Sequence, residues 1–60
     1  MNTAVERISL WTGVSLIDAI EIRNVMDSEA LIDWSEATED EFTDAIGLAR
    51  TFIRNGRSWE

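Results

Sequence analysis

Cysteine, histidine, proline and lysine are all absent from these 60 residues. Without cysteine there is no disulfide and no thiolate metal site. Without histidine the chain lacks the commonest transition-metal ligand and the commonest general base. A Ser-His or Cys-His nucleophile is therefore excluded. No apolar run approaches the roughly 20 residues of a membrane span. The opening MNTAVERISL lacks the basic start and long apolar core of a secretory signal. A cytoplasmic location and no membrane partner are the expectations.

Carboxylates are the one titratable group in surplus. Glu36 and Asp40, then Asp40 and Asp44, lie four residues apart and could share a helix face. A hard-cation loop needs acids at alternate positions, then glycine, then a distant glutamate, and no stretch fits. Acid–base work by such a pair needs a pocket to shift its pKa, which a chain this short rarely encloses. No catalytic residue, cofactor or metal is expected, and the chain does not read as an enzyme.

What is present suits one small helical domain over residues 1–60. Apolar residues make up 45% of the chain, ample for a core. At this size only about 60% of the unfolded surface can be buried, so helix packing or self-association has to supply the stability that disulfides otherwise would.

The net charge of −7 is unevenly spread. Residues 27–44, DSEALIDWSEATEDEFTD, hold eight carboxylates and no base. Residues 45–60 carry Arg50, Arg54 and Arg57 against Glu60. The middle of the chain is an acidic pole, whose field repels nucleic acid and anionic lipid and attracts basic protein surfaces.

Periodicity predicts an all-α fold, a small bundle of three to four short helices at about 3–12, 15–26, 28–36 and 39–55. The last helix is the clearest. Phe42, Ala45, Ile46, Ala49, Phe52 and Ile53 form one stripe at helical spacing. Acids lead it and Arg50 and Arg54 close it, as the macrodipole favours. Thr3 to Glu6 and Thr38 to Glu41 both fit the capping box. Asp27 or Ser28 is a candidate cap for the third helix, with Ala30, Leu31, Trp34 and Ala37 on its inner face. Ser15 caps the second, whose Leu16, Ile17, Ala19, Ile20, Ile22, Val25 and Met26 are apolar nearly all round. Such a helix is expected to be central, or half of a homodimer seam. Gly13 and Gly56 fall where left-handed helix stops are expected. A β reading of residues 5–17, with Ile8 and Leu10 alternating before a Thr12-Gly13 turn, is the alternative.

Residues 8–22, ISLWTGVSLIDAIEI, resemble the helix-turn-helix of LacI-type repressors, whose turn often reads Ala-Gly-Val-Ser; Thr12-Gly13-Val14-Ser15 stands in that place. Ile8 and Val14 are apolar where that family packs its two helices. Ser9 is small where it prefers alanine, and Ala19 and Ile22 fill inward positions. The resemblance implies that Leu16, Ile17 and Glu21 would face DNA bases. None of them donates to a base edge, and Glu21 could accept only from cytosine. Phosphate neutralisation, which supplies most non-specific affinity, is poorly served by five arginines beside an acidic pole.

Among the three tryptophans, Trp34 is expected to fill the core between the third and last helices, and Trp11 to cover the junction of the first two. Trp59, in the tail RSWE, is the candidate exposed anchor, because tryptophan is enriched in binding hot spots.

The function these features point to is a small acidic protein-interaction module. Small inhibitors and regulators of phages and mobile elements resemble it in size and charge. It would present carboxylates in place of phosphates to a basic, nucleic-acid-binding partner. The expected partner-binding residues are Asp33, Glu36, Glu39, Asp40, Asp44 and Trp59, with no direct nucleic acid. The alternatives are a helix-turn-helix DNA-binding regulator, dimeric through its second helix, and a self-associating structural or assembly subunit.

Overall fold

The structure is a computed structural model that describes residues 3–59. Three helices form among them: α1 (Thr3–Thr12), α2 (Leu16–Ser28) and α3 (Glu39–Arg54). Residues 5–17, where a β reading was the alternative, are helical except for the turn at 13–15. Among the described residues there is no strand, and no helix is long and apolar enough to cross a membrane.

The α1–α2 connection is built from local hydrogen bonds. Gly13 adopts φ +77°, a left-handed conformation that glycine takes without steric cost. Its amide donates to the Ser9 carbonyl at 2.8 Å. The Ser9 hydroxyl donates to the Val14 carbonyl at 2.8 Å, bridging the turn. Ser15 then caps α2, accepting the Asp18 amide at 3.2 Å.

α2 runs two residues further than its apolar pattern suggested and ends in a Schellman motif. The Leu31 amide reaches the Met26 carbonyl at 2.9 Å, and the Ala30 amide the Asp27 carbonyl at 3.2 Å. Ala30 takes the left-handed position, at φ +52°. This stop replaces the helix predicted over 28–36. Asp27 is not a cap for that segment; it lies within α2, paired with Arg23 and accepting the Trp34 indole N–H. Beyond it, Asp33 accepts both the Ser35 amide at 3.1 Å and its hydroxyl at 2.7 Å. A short side chain that bonds its own backbone in this way competes with helix formation. Residues 29–38 are accordingly an irregular crossing from α2 to α3.

Thr38 caps α3, its hydroxyl accepting the Glu41 amide at 3.2 Å. The Glu41 carboxylate accepts the same hydroxyl at 3.2 Å instead of reaching the Thr38 amide, so half of the capping box is made. At α1, where Thr3 was the expected cap, Thr3 is itself helical. α3 stops as predicted, with Gly56 left-handed and the Arg57 amide on the Phe52 carbonyl at 2.8 Å.

One core joins the helices. Val5 and Ile8 come from α1; Ala19, Ile22, Val25 and Met26 from α2; Phe42, Ala45, Ile46, Ala49 and Phe52 from α3. Leu31 and Ile32 of the crossing pack against it. No polar or charged side chain is buried among the described residues. α2 is the central element, packing on both neighbours. It is nevertheless not buried all round, because two neighbours cover only one side of a helix. Leu16, Ile17 and Ile20 remain exposed, Ile17 at 79%.

Candidate protein-interaction surface

The first turns of α3 display its acids on distinct sides. Phe42, Ala45, Ile46 and Ala49 define the buried stripe. At 100° per residue, Asp40 and Asp44 project from the opposite side, one turn apart. Glu39 lies on the flank toward α1, where it borders a depression with Arg7, Leu10 and Trp11. Asp33 and Glu36 stand on the preceding crossing. All five of these predicted site carboxylates are exposed.

Among the described residues one ion pair forms within 4.0 Å, Arg23 Nε to Asp27 Oδ2 at 3.2 Å. Its N–H is not aligned for a hydrogen bond. Arg50 and Arg54 are elsewhere, bordering a second depression with Asp18 and Glu21. Arg54 lies fourteen residues beyond Asp40, about 21 Å along the helix axis. The acidic start of α3 is therefore not neutralised by the basic end of the same helix. The Ser35 hydroxyl, and then the Ser35 amide, hold the Asp33 carboxyl below its ordinary value of 3.8. Among the described residues no three carboxylates converge to hold a metal ion.

Trp59 does not join this surface. Its ring packs on Phe52 with centroids 4.6 Å apart, and its indole N–H donates to Glu29 Oε1 at 2.9 Å. It is half exposed, at 50%, and ties the tail to the end of α2. Phe52 is twelve residues beyond Asp40, about 18 Å along α3. Trp34 is not a core plug either. It meets Phe42 edge-on at 6.1 Å and sits at the rim of the core, because the helix meant to carry it inward does not form.

Trp11, expected over the α1–α2 junction, instead stands beside the start of α3. It is 59% exposed, and Leu10 next to it 86%. Arg7, one turn earlier, places its guanidinium 4.4 Å from the centre of the Phe42 ring. Sequence reasoning passed over this corner because Val5, Ile8 and Thr12 define the inner side of α1. The signal available was that Leu10 and Trp11 fall off that stripe.

No protein-family model matches the chain, and comparison with curated proteins and with solved structures likewise gives no match.

Proposed function

We propose that this chain is a small helical interaction module that docks its acidic side on a basic, nucleic-acid-binding surface of a partner protein and so inhibits or regulates it. The observation that carries the reading is the exposure of Asp33, Glu36, Glu39, Asp40 and Asp44 with no arginine within ion-pair distance among the described residues. Like charges one turn apart, such as Asp40 and Asp44, destabilise an isolated helix by a few tenths of a kcal/mol. Only part of that negative charge serves the helix itself, through the macrodipole at Glu39, Asp40 and Glu41. A basic partner would relieve the remainder and be steered toward it.

The test is binding to a partner captured from the native host, measured at low and high salt. The expected result is affinity that falls steeply with salt, since exposed charges are screened over about 8–10 Å at physiological ionic strength. The combined Asp33→Lys, Glu36→Lys, Asp40→Lys and Asp44→Lys variant should stay folded and lose binding. Binding that ignores both salt and charge reversal would end the electrostatic reading.

The α1–turn–α2 unit favours a second reading, a helix-turn-helix that docks on DNA. The left-handed Gly13 and the Ser9–Val14 bridge support it. Against it stand the exposed Leu16, Ile17 and Glu21 at the outward start of α2, two apolar and one acidic. Gel retardation with random DNA at low salt distinguishes the two readings, and an unshifted band removes the second.

A further inference from the structure

Two of the three tryptophans donate their indole N–H to a carboxylate of this chain, Trp34 to Asp27 and Trp59 to Glu29. Trp11 is the exception. Its N–H has no acceptor among the described residues, and the ring stands half in solvent. With Leu10, Arg7, Glu39, Phe42 and Thr43 it borders an open depression of about 220 Å³ between the end of α1 and the start of α3. That volume exceeds the ~150 Å³ cavity that accepts a benzene ring. It falls short of the ~300–1,000 Å³ typical of small-molecule sites. One large side chain is the fitting occupant.

Arg7 and Glu39 are the two charged groups on its lining. The Arg7 guanidinium already lies over the Phe42 ring. Glu39 has no cation within 4.0 Å among the described residues, and Asp40 and Asp44 continue the negative side of α3 away from it. An incoming segment therefore meets the exposed apolar sides of Leu10 and Trp11, a free indole donor and the Glu39 carboxylate, above a Phe42 ring that Arg7 covers. Tryptophan combines a large apolar body with a polar handle, which suits it to such an anchor.

We propose that this depression receives one large apolar side chain from a basic segment of a partner protein. The flanking lysine or arginine of that segment pairs with Glu39, and its backbone carbonyl accepts the Trp11 N–H. The inference rests on the docking reading above and supplies its anchor point.

Two capped peptides test it by NMR titration of the isotope-labelled protein. One has a central leucine between runs of lysine and arginine; the other has serine at the centre. The leucine peptide should shift the Trp11 indole and the Leu10 and Thr43 amides. It should also bind about tenfold or more tightly than the serine peptide, ~1.4 kcal/mol at the usual conversion. Burying one leucine can supply that difference. Trp11→Ala, at an exposed position, should bring the two peptides to equal affinity.

Equal affinities in the native protein, with shifts confined to residues 33–44, overturn the anchor while leaving the acidic docking intact. An affinity of the leucine peptide that does not fall at ~0.5 M salt, where exposed charges are strongly screened, overturns the pairing with Glu39 and the basic occupant. An unmoved Trp11 signal at millimolar peptide overturns the proposal as a whole. Trp11 shifts that grow with protein concentration alone do the same, and assign the depression to a second copy.

Discussion

Replacing Ala30 by glycine should make this protein more stable, although glycine is the poorest non-proline helix former. Ala30 holds φ +52° at the left-handed position of the α2 stop, with its amide on the Asp27 carbonyl at 3.2 Å. That conformation costs an L-residue about 1–2 kcal/mol, because Cβ crowds the following carbonyl. Glycine removes the crowding but loses more backbone freedom on folding, by about 0.4–1 kcal/mol. The expected net gain is about 0.5–1 kcal/mol. For a domain of this size that corresponds to a rise in Tm of roughly 2–8 °C.

Gly56 provides the mirror experiment. It occupies the equivalent position after α3 at φ +72°, and a Cβ added there would meet nothing within 4 Å. Gly56→Ala should therefore lose a similar net amount, the backbone strain less the freedom that alanine takes from the unfolded chain. Circular dichroism melts and urea titrations measure both, and an unchanged urea slope would show that the compactness of the unfolded state is not altered. A lower Tm for Ala30→Gly, or no loss for Gly56→Ala, would refute the assignment of these stops.

Two further predictions concern the core and the crossing. Ile22→Ala, at a buried position of α2, should cost about 2–5 kcal/mol in urea denaturation. Ile17→Ser on the exposed side of the same helix should change stability by no more than about 0.5 kcal/mol. A large, concentration-dependent loss for Ile17→Ser would show instead that this side is covered by another copy. Asp33 should titrate below its ordinary value of 3.8, because the Ser35 hydroxyl and amide favour its ionised form. A depressed carboxyl contributes stability above its unfolded pKa and loses it as pH falls through the folded one. Carbon-detected NMR should therefore show the Ser35 amide moving together with Asp33 below pH 4, and Ser35→Ala should raise the Asp33 midpoint.

Much of the architecture was legible from local chemistry. The α3 stripe from Phe42 to Ile53, the Thr38 cap and the Gly56 stop are all interactions within a few residues, so pattern and propensity report them directly. The predicted helix over 28–36 failed for an equally local reason that composition hides. The stop after α2 uses alanine where glycine would have announced it, and Asp33 looks like an ordinary helix-surface acid until its oxygen is seen bonding Ser35. The tryptophans were ranked by their position in the chain. Trp59 lies near the end of the chain, yet it is held by Phe52 and by Glu29, thirty residues upstream. No local pattern reports such a contact.

The chain alone determined an all-helical answer, the Ser15 and Thr38 caps, the exclusion of thiol and imidazole chemistry, and the run of carboxylates without a base. Those follow from residue type and short-range spacing. Tertiary structure decided which apolar residues of α2 are covered, because coverage depends on how many neighbours surround a helix and on which side. It also decided that Arg50 and Arg54 border the same depression as Asp18 and Glu21, and that Trp11 rather than Trp59 stands free beside the acids. Each of those outcomes depends on how α1, α2 and α3 are arranged in space, which spacing along a single helix does not encode.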